Sequence, residues 1–213
     1  MKTIKIKFVD MYGWFEKEEP KLYEEIQRCG YPVEISDQPD YLFCCIFGHE
    51  ALKPEYDDCI KILWNAECCC PNFALYDYAI SCEILEFGDR YLHYPIMLLN
   101  SPRDEVMMRE ALSKGANMAA DMAEKTDFCS FVYSDSTVAD PARAEIFKAL
   151  NACKKVNSGG RFLNNIGMPQ GVPDKLAFQR RHKFVIAYEN ASYPGYFTEK
   201  LLDAFAAHAV PIY

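Results

Sequence analysis

Residues 183–213 constrain the fold of this 213-residue chain more than any other stretch. Residues 183–188 are a short apolar run, which reads as a buried strand. Residues 189–197 carry Asn190, Ser192, Pro194 and Gly195, which is loop chemistry. Thr198 reads as a helix N-cap with Glu199 in the first turn. Leu201, Leu202, Phe205 and Ala206 then share one helical face. Residues 210–213 begin another strand. Strand, loop, helix, strand is a βαβ unit, and its crossover makes the two strands parallel.

In open parallel sheets, ligands bind beyond the carboxyl ends of the strands. Glu189, Asn190, Tyr196, Glu199 and Lys200 all fall there. A helix N-terminus offers free N–H groups and a positive dipole end to an anion such as a diphosphate, and Lys200 adds a point charge. Spacing alone leaves a second reading open, in which Glu199 and Lys200 are a solvated first turn.

Half of the residues are hydrophobic, enough for a sizeable core in one large domain or two small ones. The formal net charge of −8 argues against nucleic acid, whose phosphates need basic surface. A phosphorylated small ligand needs only a few local cations. The ten cysteines include runs at 44–45 and 68–70 and show neither CxxC pairs nor a histidine spaced to complete a zinc site. They read as free thiols in a reducing compartment. No apolar stretch reaches the roughly 18 residues that a membrane span requires.

Along the chain, strands are expected at 4–9, 33–36, 41–47, 59–64, 78–81 and 128–133. A turn follows at 10–14, with Gly13. Helices are expected at 21–28 (stopped by Cys29 and Gly30), over 103–125 with a break near Gly115, at 141–152 with Asp140 as N-cap, and at 176–181. Residues 157–160 read as a turn. Strands interleaved with short helices indicate an α/β protein.

Specific strings carry a resemblance. They are Tyr188-Glu189-Asn190, then Tyr196-Phe197-Thr198-Glu199-Lys200-Leu201-Leu202-Asp203-Ala204, then Ala209-Val210-Pro211-Ile212-Tyr213. Together they resemble the donor-binding motif of the α-1,3/4-fucosyltransferases, the bacterial members above all. Residues 4–15, 78–95, 128–132 and 156–165, with Arg143, resemble other parts of the same family. The resemblance implies an α/β, GT-B-like fold: two Rossmann-like domains facing across a cleft. It places an acceptor-side domain at 1–105, a helical linker at 106–126 and a GDP-fucose-binding domain at 127–213, the last incomplete at its C-terminus. It implies an inverting transfer of L-fucose from GDP-fucose to a galactose- or N-acetylglucosamine-type glycan, in α-1,3 or α-1,4 linkage.

By the same resemblance, Arg143 and Lys200 bind the diphosphate, Glu199 contacts the fucose, and Asn190 and Tyr196 contact the nucleotide-sugar. Asn190 as a turn former and Tyr196 as a packing residue remain open readings. For the catalytic base, related enzymes carry Asp-Glu-Leu-Asp-Phe where this chain has Glu83-Ile84-Leu85-Glu86-Phe87. Ile84 stands at the glutamate position, so the base is assigned to Glu83, one residue earlier; Glu83 and Glu86 as surface charges, with the base elsewhere, remain an open reading. No Asp-x-Asp string marks a metal, and no cofactor is expected beyond the donor. A bacterial cytoplasmic setting is expected, with peripheral membrane contact through a missing C-terminus. Two other functions stay open: a transferase for a different GDP-sugar, and a non-catalytic nucleotide-sugar or glycan-binding domain.

Overall fold

The computed structural model describes residues 2–12, 21–95, 102–113, 118–134 and 139–213. The turn expected to continue through Gly13 and Trp14, and the helix break expected near Gly115, lie outside the described residues. The chain divides into two compact units, Met1–Ile96 and Met97–Tyr213.

The first unit holds β1 (Ile4–Val9), α1 (Lys21–Arg28), β2 (Val33–Ile35), β3 (Tyr41–Cys44), β4 (Ile60–Trp64), β5 (Tyr78–Ser81) and β6 (Tyr91–His93). The strands pair in the order β2-β1-β3-β4-β5-β6, each pair parallel. Side chains alternate along each strand, so the sheet buries both faces. Ile6, Phe8 and Phe43 turn to the face covered by Tyr23 and Ile26 of α1. Val9, Leu42 and Cys44 turn to the other, against Ala51 and Tyr56. The run 41–47 is strand only as far as Cys44. Beyond it the chain turns over the end of β1, where the Asp10 carboxylate accepts the Glu50 and Ala51 N–H groups at 3.1 and 2.9 Å. Gly48 lies so near this carboxylate that an added Cβ would meet Oδ1.

The second unit holds α2 (Pro102–Ser113), α3 (Met118–Glu124), β7 (Asp127–Phe131), α4 (Ala142–Cys153), β8 (Val156–Ser158), α5 (Lys175–Arg180), β9 (His182–Ile186), α6 (Glu199–Ala206) and β10 (Val210–Ile212). Its parallel strands run in the order β10-β9-β7-β8. Alternation again assigns the faces. Cys129, Phe131 and Ile186 pack with Phe147 of α4, while Val185 and Ala187 pack with Ala204 and Ala207. Residues 106–126, expected as a linker, include α2 residues that belong to this unit's core: Met107 packs with Leu202 and Ala206 of α6. The turn expected at 157–160 begins as strand β8, because Val156 and Ser158 are drawn into register with Cys129 and Phe131. Gly160 then passes so close to the Tyr133 backbone that no Cβ would fit.

From β7 the connection through α4 leads to β8 on one side of the sheet. From β9, on the other side of β7, the connection through α6 leads outward to β10. The direction of winding therefore reverses between β7 and β9. Reversal of this kind opens a crevice at the carboxyl ends of the two strands.

All ten cysteines are free. Burial pushes the Cys44, Cys82 and Cys129 thiols up to about 12, so they are packing residues rather than nucleophiles.

Candidate functional site

The two helices that start at this crevice are α4 and α6, and each brings a cation in its first turn. In α4 it is Arg143. Pro141, not Asp140, is the N-cap residue of α4; Asp140, one position earlier, still satisfies a first-turn donor, its Oδ1 accepting the Ala142 N–H at 2.9 Å. The Arg143 side chain is buried, and its guanidinium lies 4.3 Å from the centre of the Tyr133 ring. Arg143 Nε donates to the Tyr188 carbonyl at 3.1 Å. Arg143 Nη2 is buried and has no hydrogen-bond partner among the described residues.

The loop after β9 forms the opposite wall. Its path is fixed by the Tyr133 hydroxyl, which shares its one proton between the Ile186 and Tyr188 carbonyls at 2.9 and 3.0 Å. Burial pushes the Tyr133 phenol far up, so it stays a neutral donor. The Asp140 N–H donates to the Asn190 carbonyl at 2.7 Å and ties the two loops together. Asn190 Oδ1 is a second buried atom without a partner among the described residues. A guanidinium N–H at the start of α4 and an amide oxygen on the loop after β9 thus stand unsatisfied among the described residues. A buried unpaired polar group costs about 1–3 kcal/mol, and a polar ligand recovers that cost.

In α6 the cation is Lys200. Its ammonium donates to Thr198 Oγ1 at 2.8 Å and lies 3.1 Å from Glu189 and 3.4 Å from Glu199. Burial opposes ionisation of Glu199, but Lys200 and Lys175 outweigh it and hold the carboxyl below its ordinary value. Thr198 is the N-cap residue by position, yet its side chain makes no capping bond to the helix. Tyr196 is buried within the loop, and its N–H bonds the Tyr193 carbonyl at 3.0 Å.

Four of the six expected residues, Asn190, Tyr196, Glu199 and Lys200, therefore share the β9–α6 loop and first turn, and Arg143 joins them from α4. Glu83 is in the first unit, just beyond the carboxyl end of β5. It is fully buried; Oε2 accepts from the Ser81 hydroxyl, and Oε1 has no partner among the described residues. The Tyr91 hydroxyl anchors the Glu83 carbonyl at 2.6 Å. Ile84 beside it is 71% exposed, and Glu86 is also exposed. Sequence reasoning did not single out Tyr133, although its place at the end of an apolar run of strand character was the available signal. Among the described residues no group of three or more His, Cys, Asp or Glu is placed to hold a metal ion.

Two family models match the chain in tandem. Residues 6–100 match the alpha-(1,3)-fucosyltransferase FucT N-terminal domain, and residues 122–213 match the C-terminal part of glycosyltransferase family 10 (fucosyltransferase). The chain belongs to glycosyltransferase family 10. This family-10 chain is 28% identical to the alpha-(1,3)-fucosyltransferase FucT of Helicobacter pylori, over 94% of its own length and 48% of the relative's. It is 31% identical to the human 3-galactosyl-N-acetylglucosaminide 4-alpha-L-fucosyltransferase FUT3, over 62% of its length and 36% of that protein's. It thus spans about half or less of these curated relatives. An alpha1,3-fucosyltransferase crystal structure with GDP superposes with a TM-score of 0.77 at 27% identity, covering 99% of this chain and 68% of the other. The same enzyme class with GDP-fucose gives a TM-score of 0.75 at equal identity and coverage. The two parallel-sheet units are accordingly of GT-B type. Among the described residues no helix is long and apolar enough to cross a membrane.

Proposed function

We propose that this family-10 chain transfers L-fucose from GDP-fucose, with inversion, to a galactose- or N-acetylglucosamine-type glycan in α-1,3 or α-1,4 linkage. The observation that carries the reading is the pair of first-turn cations, Arg143 and Lys200, at the point where the second sheet reverses its winding. A departing diphosphate needs cations and N–H donors fixed before it gains charge. Arg143 supplies an unused guanidinium N–H held by its stack on Tyr133. Lys200 supplies an ammonium, and the first turn of α6 supplies N–H groups that Thr198 leaves uncapped. Asn190 Oδ1 accepts from the nucleotide-sugar. Glu199, kept ionised by Lys200, takes hydrogen bonds from the hydroxyls of the fucose, with Tyr196 against the ligand. These residues work without a divalent ion in this reading, since their charges meet those of the diphosphate.

Glu83 is the base in this proposal. Its buried carboxylate has one oxygen bonded to Ser81 and the other free to accept the proton of the acceptor hydroxyl as that oxygen attacks the anomeric carbon. The bond to the diphosphate oxygen breaks with its electron pair, so GDP leaves and the anomeric centre inverts.

Calorimetric titration of the 213-residue chain with GDP-fucose, GDP and GDP-mannose tests the donor assignment. Binding that prefers GDP-fucose to GDP-mannose is expected. Equal affinity for both sugars would withdraw the fucose, and no binding of any of the three would withdraw the donor site.

A further inference from the structure

Glu189 is outside the phosphate-binding set proposed above, yet its carboxylate shapes that set. It lies three residues beyond the end of β9 and is buried. Oε1 accepts the Thr198 N–H at 2.8 Å, and Oε2 accepts the Thr198 Oγ1–H at 2.7 Å. Oε2 also lies 3.1 Å from Lys200 Nζ. The ring closes through Lys200, whose ammonium donates to Thr198 Oγ1 at 2.8 Å. The hydroxyl has one proton, which goes to Glu189, so towards Lys200 it acts as an acceptor. Every hydrogen bond in the ring therefore has its own proton.

Two consequences follow for the start of α6. The Thr198 hydroxyl, the usual acceptor for an N–H of the first turn, is drawn away by Glu189, and the helix end stays open to an anion. Lys200, a flexible chain with many rotamers, is fixed before any ligand arrives, which is preorganisation of the kind that favours developing charge. We infer that Glu189 is a positioning residue, which aims the Lys200 ammonium and the open first turn of α6 at the terminal phosphate of a nucleoside diphosphate. This rests on the donor-site reading given above.

The test compares GDP with GMP on the full chain, because only GDP presents the second phosphate. Wild type is expected to bind GDP more tightly than GMP. Glu189→Gln keeps a planar side chain able to hold Thr198 but loses the charge that fixes Lys200. It should leave the melting temperature and GMP affinity near wild type and cut the preference for GDP about tenfold, the scale of one charge-assisted contact. Lys200→Met should also cut the preference for GDP, and the double variant should be no worse than Lys200→Met alone. Thr198→Val should reproduce the loss, whereas Thr198→Ser, which keeps the hydroxyl, should restore the preference. The inference is overturned if Glu189→Gln retains the preference, lowers GMP and GDP binding alike, or tightens GDP binding. A wild-type chain that fails to bind GDP, or binds GMP equally well, counts against the donor site itself rather than against Glu189.

Discussion

Arg143 shows how one side chain joins stability to recognition. Its Nε bond to the Tyr188 carbonyl and its stack on Tyr133 hold the guanidinium in one plane, leaving Nη2 free. Lysine cannot reproduce that plane or the fork. Arg143→Ala should weaken GDP binding by roughly 10- to 100-fold, and Arg143→Lys by about tenfold, from the ~1.5–3 kcal/mol carried by hydrogen bonds to charged groups. The fold should lose little in either variant, under about 1.5 kcal/mol, because the Tyr188 carbonyl still accepts from the Tyr133 hydroxyl. Titration calorimetry alongside a thermal melt checks both halves; a large melting loss with unchanged GDP affinity would make Arg143 a packing residue. The positions of Arg143 and Lys200 in the first turns of α4 and α6 were legible in the sequence, from the helix starts expected at 141 and 198. Glu189 was legible only as a residue near the site. Its effect depends on a hydroxyl nine positions later, a distance the folded loop closes and no local pattern encodes.

At the scale of elements, His182 couples three of them. It opens β9; Nδ1 is 2.8 Å from the Phe178 carbonyl of α5, and Nε2 is 3.0 Å from Asn157 Nδ2 of β8. The carbonyl can only accept, so Nδ1 carries the proton and Nε2 accepts from the amide. Burial favours this neutral form and lowers the pKa below 6.5, with Arg181 and Lys125 adding to the effect and the Phe178 carbonyl and Asp127 opposing it. The sign follows. Below pH 6.5 the unfolded chain takes up a proton that the folded chain refuses, so stability present above 6.5 is lost as pH falls towards the folded value. The expected loss is up to about 1.4 kcal/mol per pH unit in that window. Urea titrations at several pH values check it, with His182→Gln expected to give a flatter dependence there. Long apolar strands such as β1 and β4 were readable from periodicity. β6 and β8, three residues each, were not: neighbouring strands hold them in register, and the Gly159-Gly160 pair after β8 looks like a turn. Residues 45–47 were read as strand because their apolar composition continues that of β3, although only Cys45 is buried and Ile46 and Phe47 are exposed.

At the scale of the whole molecule, the α/β class was legible because both sheets are parallel and carry hydrophobic side chains on two faces. The division into units was less so, since helix α2 commits to the second unit through Met107, with Met108 and Ala111 beside it, in a weakly patterned helix. That division gives a test of where the nucleotide acts. Both tryptophans, Trp14 and Trp64, belong to Met1–Ile96, and Met97–Tyr213 has none. Tryptophan fluorescence therefore follows the first unit alone, whereas far-UV ellipticity follows both. A ligand that binds only the folded second unit raises its stability by about 2.7 kcal/mol at a hundred times Kd. For a unit of this size that is a rise of roughly 10 °C in melting temperature. With GDP present, part of the ellipticity change should move up by that amount while the fluorescence midpoint stays in place. If the fluorescence midpoint moved instead, the nucleotide site would belong to the first unit, and Arg143, Asn190 and Lys200 would lose their assignment. If both signals moved together as one transition, the units would not unfold one by one, and the donor site would have to be located by the single-residue variants alone.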